Sequence, residues 1–154
     1  MDDLDRFVDQ LQNQIFDEAK AAYGEKGFDR WRNPRFQGRM ESADAHARLT
    51  GDCGDSIEIY LKFENNIVKQ ASYFTDGCAS SSICGSFAAE LSMGKDPEEL
   101  TDITGEAVEK AIGRLPESDR HCAGLAAAVL QEAVSRYMIN QTANSNRGNK
   151  KEIK

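Results

Sequence analysis

The chain has no run of basic residues in its ordered part, no apolar stretch of bilayer length, no Cys-x-x-Cys pair and no internal repeat. Each absence removes a class of function. With 19 basic against 26 acidic residues, the formal charge is −7, and the electrostatic footprint of a nucleic-acid binder is missing. No segment approaches the roughly 20 apolar residues of a membrane-spanning helix. The start, Met1-Asp2-Asp3-Leu4-Asp5, is acidic where a secretory signal is basic and then apolar. A cytoplasmic protein is expected, with neither nucleic acid nor membrane among its partners. Lacking closely spaced cysteine pairs, the chain must assemble any metal site from distant segments.

What is present suits a single domain of 154 residues, long enough to bury a core without disulfides. The expected division is a domain over residues 1–141 and a flexible tail over 142–154. From Thr142 onward the chain holds Asn, Ser, Gly and Lys with one large apolar residue, Ile153, too little to offset the entropy of ordering it.

Leu4, Phe7, Val8, Leu11, Ile15 and Ala19 recur at helical spacing, which predicts an amphipathic helix ending near Gly24. Asn33-Pro34-Arg35 should stop any helix, because the proline ring disfavours helical backbone in the residue before it. Ile57, Ile59, Leu61 and Phe63 alternate with Ser56, Glu58, Tyr60 and Lys62, a strand buried on one face. Asn65-Asn66 is a hairpin turn into a second strand from Ile67 to about Thr75. A weaker strand is expected over about 40–49. Three consecutive strands with short connections predict a small antiparallel sheet and an α+β fold. After Gly77 the spacing of Ile83, Phe87, Ala88 and Leu91 becomes helical, with Gly94 as the stop. Asp96-Pro97 starts a short helix, and Thr104 caps another that ends around Gly113. Cys122, Leu125, Ala126, Val129, Ala133, Val134 and Tyr137 form the stripe of a last helix that must pack on the sheet.

Four cysteines remain, Cys53, Cys78, Cys84 and Cys122. In a reducing compartment they point to metal or thiol chemistry rather than disulfides. Taken singly, a cysteine is most often a small buried hydrophobe. Three of these, however, open elements: Cys53 before a strand, and Cys78 and Cys122 at helix N-termini, where the dipole favours a thiolate. Cys84, six residues into the helix that Cys78 opens, belongs to the core. His46, on an edge strand without a partner motif, reads as a solvated histidine.

The order of four short segments resembles the scaffold family of the IscU and NifU N-terminal type. They are Asn33-Pro34-Arg35 with Gly38; Cys53-Gly54-Asp55; Gly77-Cys78 before a serine-rich helix start; and His121-Cys122 before Leu125-Ala126. The resemblance runs from about residue 28 to 140. It implies helices packed on one face of the three-stranded sheet and a cluster site at one end. Cys53, Cys78 and Cys122 would be the ligands of a transient [2Fe-2S] cluster, with Asp55 or His121 as the fourth ligand or as an aid to ligand exchange. If the segment is extended, Asp55 points the same way as Cys53. The resemblance further implies a carrier rather than an enzyme, ferrous iron as an input, and a cysteine desulfurase as the source of persulfide sulfur. Apo iron–sulfur proteins would be acceptors, and the chain would be a monomer or small homo-oligomer.

The chain departs from the family where chaperone-dependent members carry Leu-Pro-Pro-Val-Lys. Here the residues are Leu115-Pro116-Glu117-Ser118-Asp119, which argues against an Hsp70-type chaperone as partner. The alternative of a zinc-dependent sulfur acceptor of the SufU type is disfavoured by the presence of His121 and by the short span between the second and third cysteine motifs. A purely structural zinc protein is the plainer alternative, and Zn2+ is expected to fill the same site in purified material. A thiol hydrolase with Cys122 as nucleophile and His121 as base is disfavoured because adjacent helical residues diverge by about 100°.

Overall fold

A computed structural model describes the backbone of residues 2–152 and the side chains of residues 2–144. The central sheet has the order β1-β2-β3, with β1 (Ala45–Thr50), β2 (Ser56–Glu64) and β3 (Ile67–Thr75) all antiparallel. Asn65 and Asn66 both adopt positive φ, 54° and 65°, the geometry that lets a two-residue hairpin follow the strand twist. The edge strand begins later than its apolar pattern suggested. Asp44 stops it, because its carboxylate accepts the Phe63 N–H at 2.7 Å in place of a ladder partner.

Ile57, Ile59 and Leu61 are fully buried beneath α2 (Ala79–Ser92) and α5 (Arg120–Glu152). Glu58, Tyr60 and Lys62 lie on the opposite face, half-buried. Period-two alternation thus decides which side of the sheet receives helices. Two short helices join the layers. α3 (Pro97–Thr101) starts at a reciprocal capping box between Asp96 and Glu99, and α4 (Gly105–Ile112) starts at a Thr104 cap and ends at Gly113.

The N-terminal segment differs from its expected form. α1 (Asp3–Arg32) breaks at Gly24, where φ is 74° and ψ −179°, and then resumes up to Asn33. The chain doubles back there. Phe16 lies 5.7 Å from Phe28 and 6.5 Å from Trp31 between ring centroids, whereas a continuous helix would separate Phe16 and Phe28 by about 18 Å. Arg32 stacks over the Phe16 ring at 4.3 Å. The second arm, 25–32, docks on α2 through Arg30, which is 7% exposed and donates to Ser86 Oγ and Glu90 Oε1, both at 3.0 Å.

The last helix also extends further than its composition suggested, with helical backbone from the expected tail boundary at 142 to Glu152. Tyr137, stacked on Phe63 at 4.0 Å, is the last residue of α5 in the described core, and 138–144 are exposed. Residues 153 and 154 of the expected tail lie outside the described residues. We keep the division at 141 as a proposal. Among the described residues, no helix is long and apolar enough to cross a membrane.

Candidate metal centre

Three loops meet at one end of the sheet, and each is shaped by backbone chemistry readable in its sequence. The turn before β2 is closed by Gly54 N–H to Gly51 O at 3.0 Å, and Gly54 has φ +89°. Cys53 sits exposed within it. Leaving β3, the Thr75 hydroxyl donates to Ser56 O at 2.6 Å and accepts the Gly77 N–H at 3.0 Å. This anchors Cys78 as the N-cap of α2. The third loop is a 3-10 turn over Glu117–Asp119, which feeds His121 and Cys122 into the first turn of α5.

Asp55, Cys78 and Cys122 each bring a ligand atom within 4.8 Å of the other two, with Asp55 half-buried, Cys78 exposed and Cys122 buried. Gly77 makes this approach possible. A Cβ there would stand 2.6 Å from the Asp55 carboxyl carbon, so any larger residue displaces the carboxylate. Asp55 Oδ2 accepts the Cys78 N–H at 3.3 Å and the Ser81 hydroxyl at 2.9 Å. The Ser81 hydrogen bond, followed by that from the Cys78 backbone, holds the Asp55 carboxyl below the usual carboxylate range.

Ser81 is the hub that the sequence reading did not assign. Its oxygen lies 3.8 Å from Cys78 Sγ and 3.6 Å from Cys122 Sγ. Only its place in the serine-rich first turn of α2 hinted at such a role. Ser80 is similarly committed, donating to Asp119 at 2.7 Å and lying 3.1 Å from the Tyr23 hydroxyl. The Asp119 that breaks the chaperone-type motif therefore ties the third cysteine loop to α2 and α1.

Cys53 and His121 occupy the rim. Both line an open groove of about 590 Å³ with Gly51, Gly124 and Leu125. Cys53 does not belong to the mutually close trio. The extended backbone on which the shared direction of Cys53 and Asp55 was expected is replaced by the turn at Gly54. His121 Nδ1 is 3.0 Å from Ser118 O. A carbonyl only accepts, so Nδ1 carries a proton in this contact and Nε2 is the ring nitrogen that faces the site, the orientation usual for a ligating imidazole. Nε2 lies 3.6 Å from Cys122 Sγ. Divergence of adjacent helical side chains therefore does not separate this pair, because the imidazole is long enough to fold back across the helix start.

Two further expectations are settled here. Cys84 is fully buried in the core and its thiol is driven far above its normal range, chiefly by burial. Cys122 does not show the stabilised thiolate expected at a helix start. Burial, opposed only by the Ser81 hydrogen bond, pushes its thiol up to about 11. Desolvation outweighs the dipole, and a thiol held protonated is a poor hydrolytic nucleophile. His46 lies exposed and stacked on Tyr60, with ring centroids 5.7 Å apart, away from the site.

A family model described as the NifU-like N terminal domain matches residues 22–144. The iron-sulfur cluster assembly scaffold protein IscU 1 of Archaeoglobus fulgidus is 39% identical over 116 residues, covering 75% of this chain and 76% of that protein. Iron sulfur cluster assembly protein 1 of Trachipleistophora hominis is 32% identical over 126 residues, covering 79% of this chain and 91% of that protein. The crystal structure of an N-terminal NifU-like protein from Brucella abortus superposes with a TM-score of 0.60 at 19% identity, covering 77% of this chain and 96% of that one. At that identity the superposition speaks for the fold alone.

Proposed function

The chain belongs to the family of NifU-like N-terminal domains, and from that premise we propose that it is an iron–sulfur cluster assembly scaffold, a carrier and not an enzyme. One observation carries the reading. Asp55, Cys78 and Cys122 converge within 4.8 Å at the end of the sheet, with Cys53 and His121 on the adjoining groove.

The cargo is a labile [2Fe-2S] cluster held by Cys53, Cys78 and Cys122, with Asp55 or His121 supplying the fourth position. Thiolates suit iron–sulfur clusters, whereas a carboxylate or imidazole is a harder, more readily exchanged donor. That mixture favours a cluster that forms and leaves. Exposure of Cys53 and Cys78 leaves the site open to persulfide sulfur from a cysteine desulfurase, to ferrous iron, and then to an apo iron–sulfur acceptor. Cys53 is exposed on the Gly51–Gly54 turn that precedes β2, in the groove beside the trio. Zn2+ competes for the same donors, since three thiolates and a carboxylate also meet its tetrahedral preference. The cytoplasm is the compartment we propose, because such ligands need reduced thiols.

The test is anaerobic incubation with ferrous iron, cysteine and a cysteine desulfurase, followed by addition of an apo-ferredoxin. Visible absorption of a cluster should develop and then move to the ferredoxin. Absence of the absorption, or a cluster that never transfers, rejects the scaffold reading and leaves a zinc-binding protein.

A further inference from the structure

The first arm of α1 carries an apolar stripe that its own fold leaves uncovered. Leu4 is 66% exposed, Phe7 62%, Val8 50%, Leu11 48% and Ile15 46%. The arm precedes residue 22, where the match to the family model begins. Its inner side is already taken by Phe16, which packs on Phe28 and Trp31. At about 100° per residue, the stripe lies roughly 110° around the helix from Phe16. With that rotation and those exposures, the stripe is turned to solvent.

The spacing of the stripe specifies what it fits. Leu4, Val8, Leu11 and Ile15 are separated by four, three and four positions, the alternation of a heptad seam. Both leucines then fall at d and both β-branched residues at a, the assignment that favours two parallel strands. The positions flanking the seam agree. In a parallel pair, Phe7 of one copy faces Gln12 of the other and Gln14 faces Ala19, so no like charges meet at these flanking positions. The acidic residues Asp2, Asp3, Asp9 and Asp17 point outward at b and c. A membrane surface is a poor occupant, because helices that lie on lipid carry lysine and arginine on the polar face.

We propose that this arm is a self-association element, pairing with the same arm of a second copy as a short parallel two-stranded coiled coil. The pairing is weak by construction. Five side chains about half exposed offer on the order of 400–500 Å² per copy, against ~800 Å² per partner in a standard interface. The seam also ends at Glu18, which occupies the next d position and is exposed, 3.3 Å from Gln14. Dimerisation is therefore reversible and concentration-dependent. It does not depend on the cargo assigned to the metal centre.

Sedimentation velocity on the full chain, from about 5 to about 500 µM, tests this directly. The expected result is a reversible monomer–dimer equilibrium. Leu11→Asp, its helicity checked by far-ultraviolet circular dichroism, should weaken that equilibrium at least about tenfold, while Glu18→Leu, which extends the seam, should tighten it about tenfold. Raising salt from about 0.05 to about 0.5 M should strengthen association, because it screens two acidic arms without breaking ion pairs. A chain monomeric throughout, a dimer indifferent to Leu11→Asp, no tightening by Glu18→Leu, or weakening by salt each overturns the proposal.

Discussion

Ser81 has one hydrogen to give and three neighbours that could take it. Asp55, the charged acceptor at 2.9 Å, outcompetes the two sulfurs at 3.6 and 3.8 Å. Burial keeps Cys122 a thiol, against the opposing effect of its contact with Ser81. Cargo or metal must therefore expel protons on binding. Zinc affinity should rise with pH between about 6 and 8, by about tenfold per pH unit for each proton released. Calorimetry in two buffers of different ionisation enthalpy measures that number, and a flat profile means the thiols are not ligands. For the metal-free fold the sign is opposite. Because the folded Cys122 thiol is raised from 9.0 to about 11, the unfolded chain loses that proton first. Its contribution is full below pH 9 and disappears as pH climbs toward 11.

The same residues separate ligand from neighbour. Cys53→Ser, Cys78→Ser and Cys122→Ser should each abolish stable cluster assembly, because a hydroxyl seldom ionises to replace a thiolate. Cys84→Ser should retain the cluster, with stability lowered by about 1–3 kcal/mol for a hydroxyl buried without a partner. Loss of the cluster in Cys84→Ser and its survival in any of the other three would reverse the assignment. Asp55→Ala removes the exchangeable donor. Cluster binding should persist through the cysteines and His121, with slower transfer to an apo-ferredoxin and greater resistance to chelators. Circular dichroism of the cluster under anaerobic conditions follows the rate, and unchanged or faster transfer would reduce Asp55 to a turn former.

At the scale of elements, the second arm of α1 is held to α2 by one buried cation. Arg30 lies 4.0 Å above the Phe87 ring while bonding Ser86 and Glu90. Ser86 in turn donates to Arg35 O at 2.7 Å, just past the Asn33-Pro34 stop. Arg30→Ala removes the buried cation, leaving Glu90 its longer contact with Arg35 at 3.5 Å and Ser86 its bond to Arg35 O, and should lower stability by about 1–3 kcal/mol in urea denaturation. Arg30→Lys should recover only part of this, since an ammonium cannot reproduce the planar fork. Full stability in Arg30→Ala would show that the arm is held by its aromatic contacts alone.

At the scale of the whole molecule, one core is shared by the sheet, α2, α4 and α5, and Tyr137 marks its far edge along α5. A chain ended after Gln141 should melt within about 2 °C of the full protein and assemble a cluster equally well, since among the described residues no core side chain lies beyond Tyr137. A larger drop, measured by calorimetry, would mean that residues beyond 141 belong to the folded domain.

Local chemistry determined most of the elements directly from sequence. Alternation set the buried face of β2, paired asparagines the hairpin, Thr104 and Asp96 the helix starts, and Pro34 a helix stop. The cysteine-bearing segments were also legible, because Cys53, Cys78 and Cys122 open elements flanked by glycine, aspartate or histidine. Three things were decided only in three dimensions. Phe16 packing on Phe28 and Trp31 turned an expected helix end at Gly24 into a bend, and that contact spans twelve positions of chain. Ser81 became the hub because the starts of β2 and α5, with Asp55 and Cys122, converge on its turn, which no local pattern records. The protonation of Cys122 was inverted because burial is a property of the whole fold, whereas the helix dipole that predicted a thiolate is a property of one element.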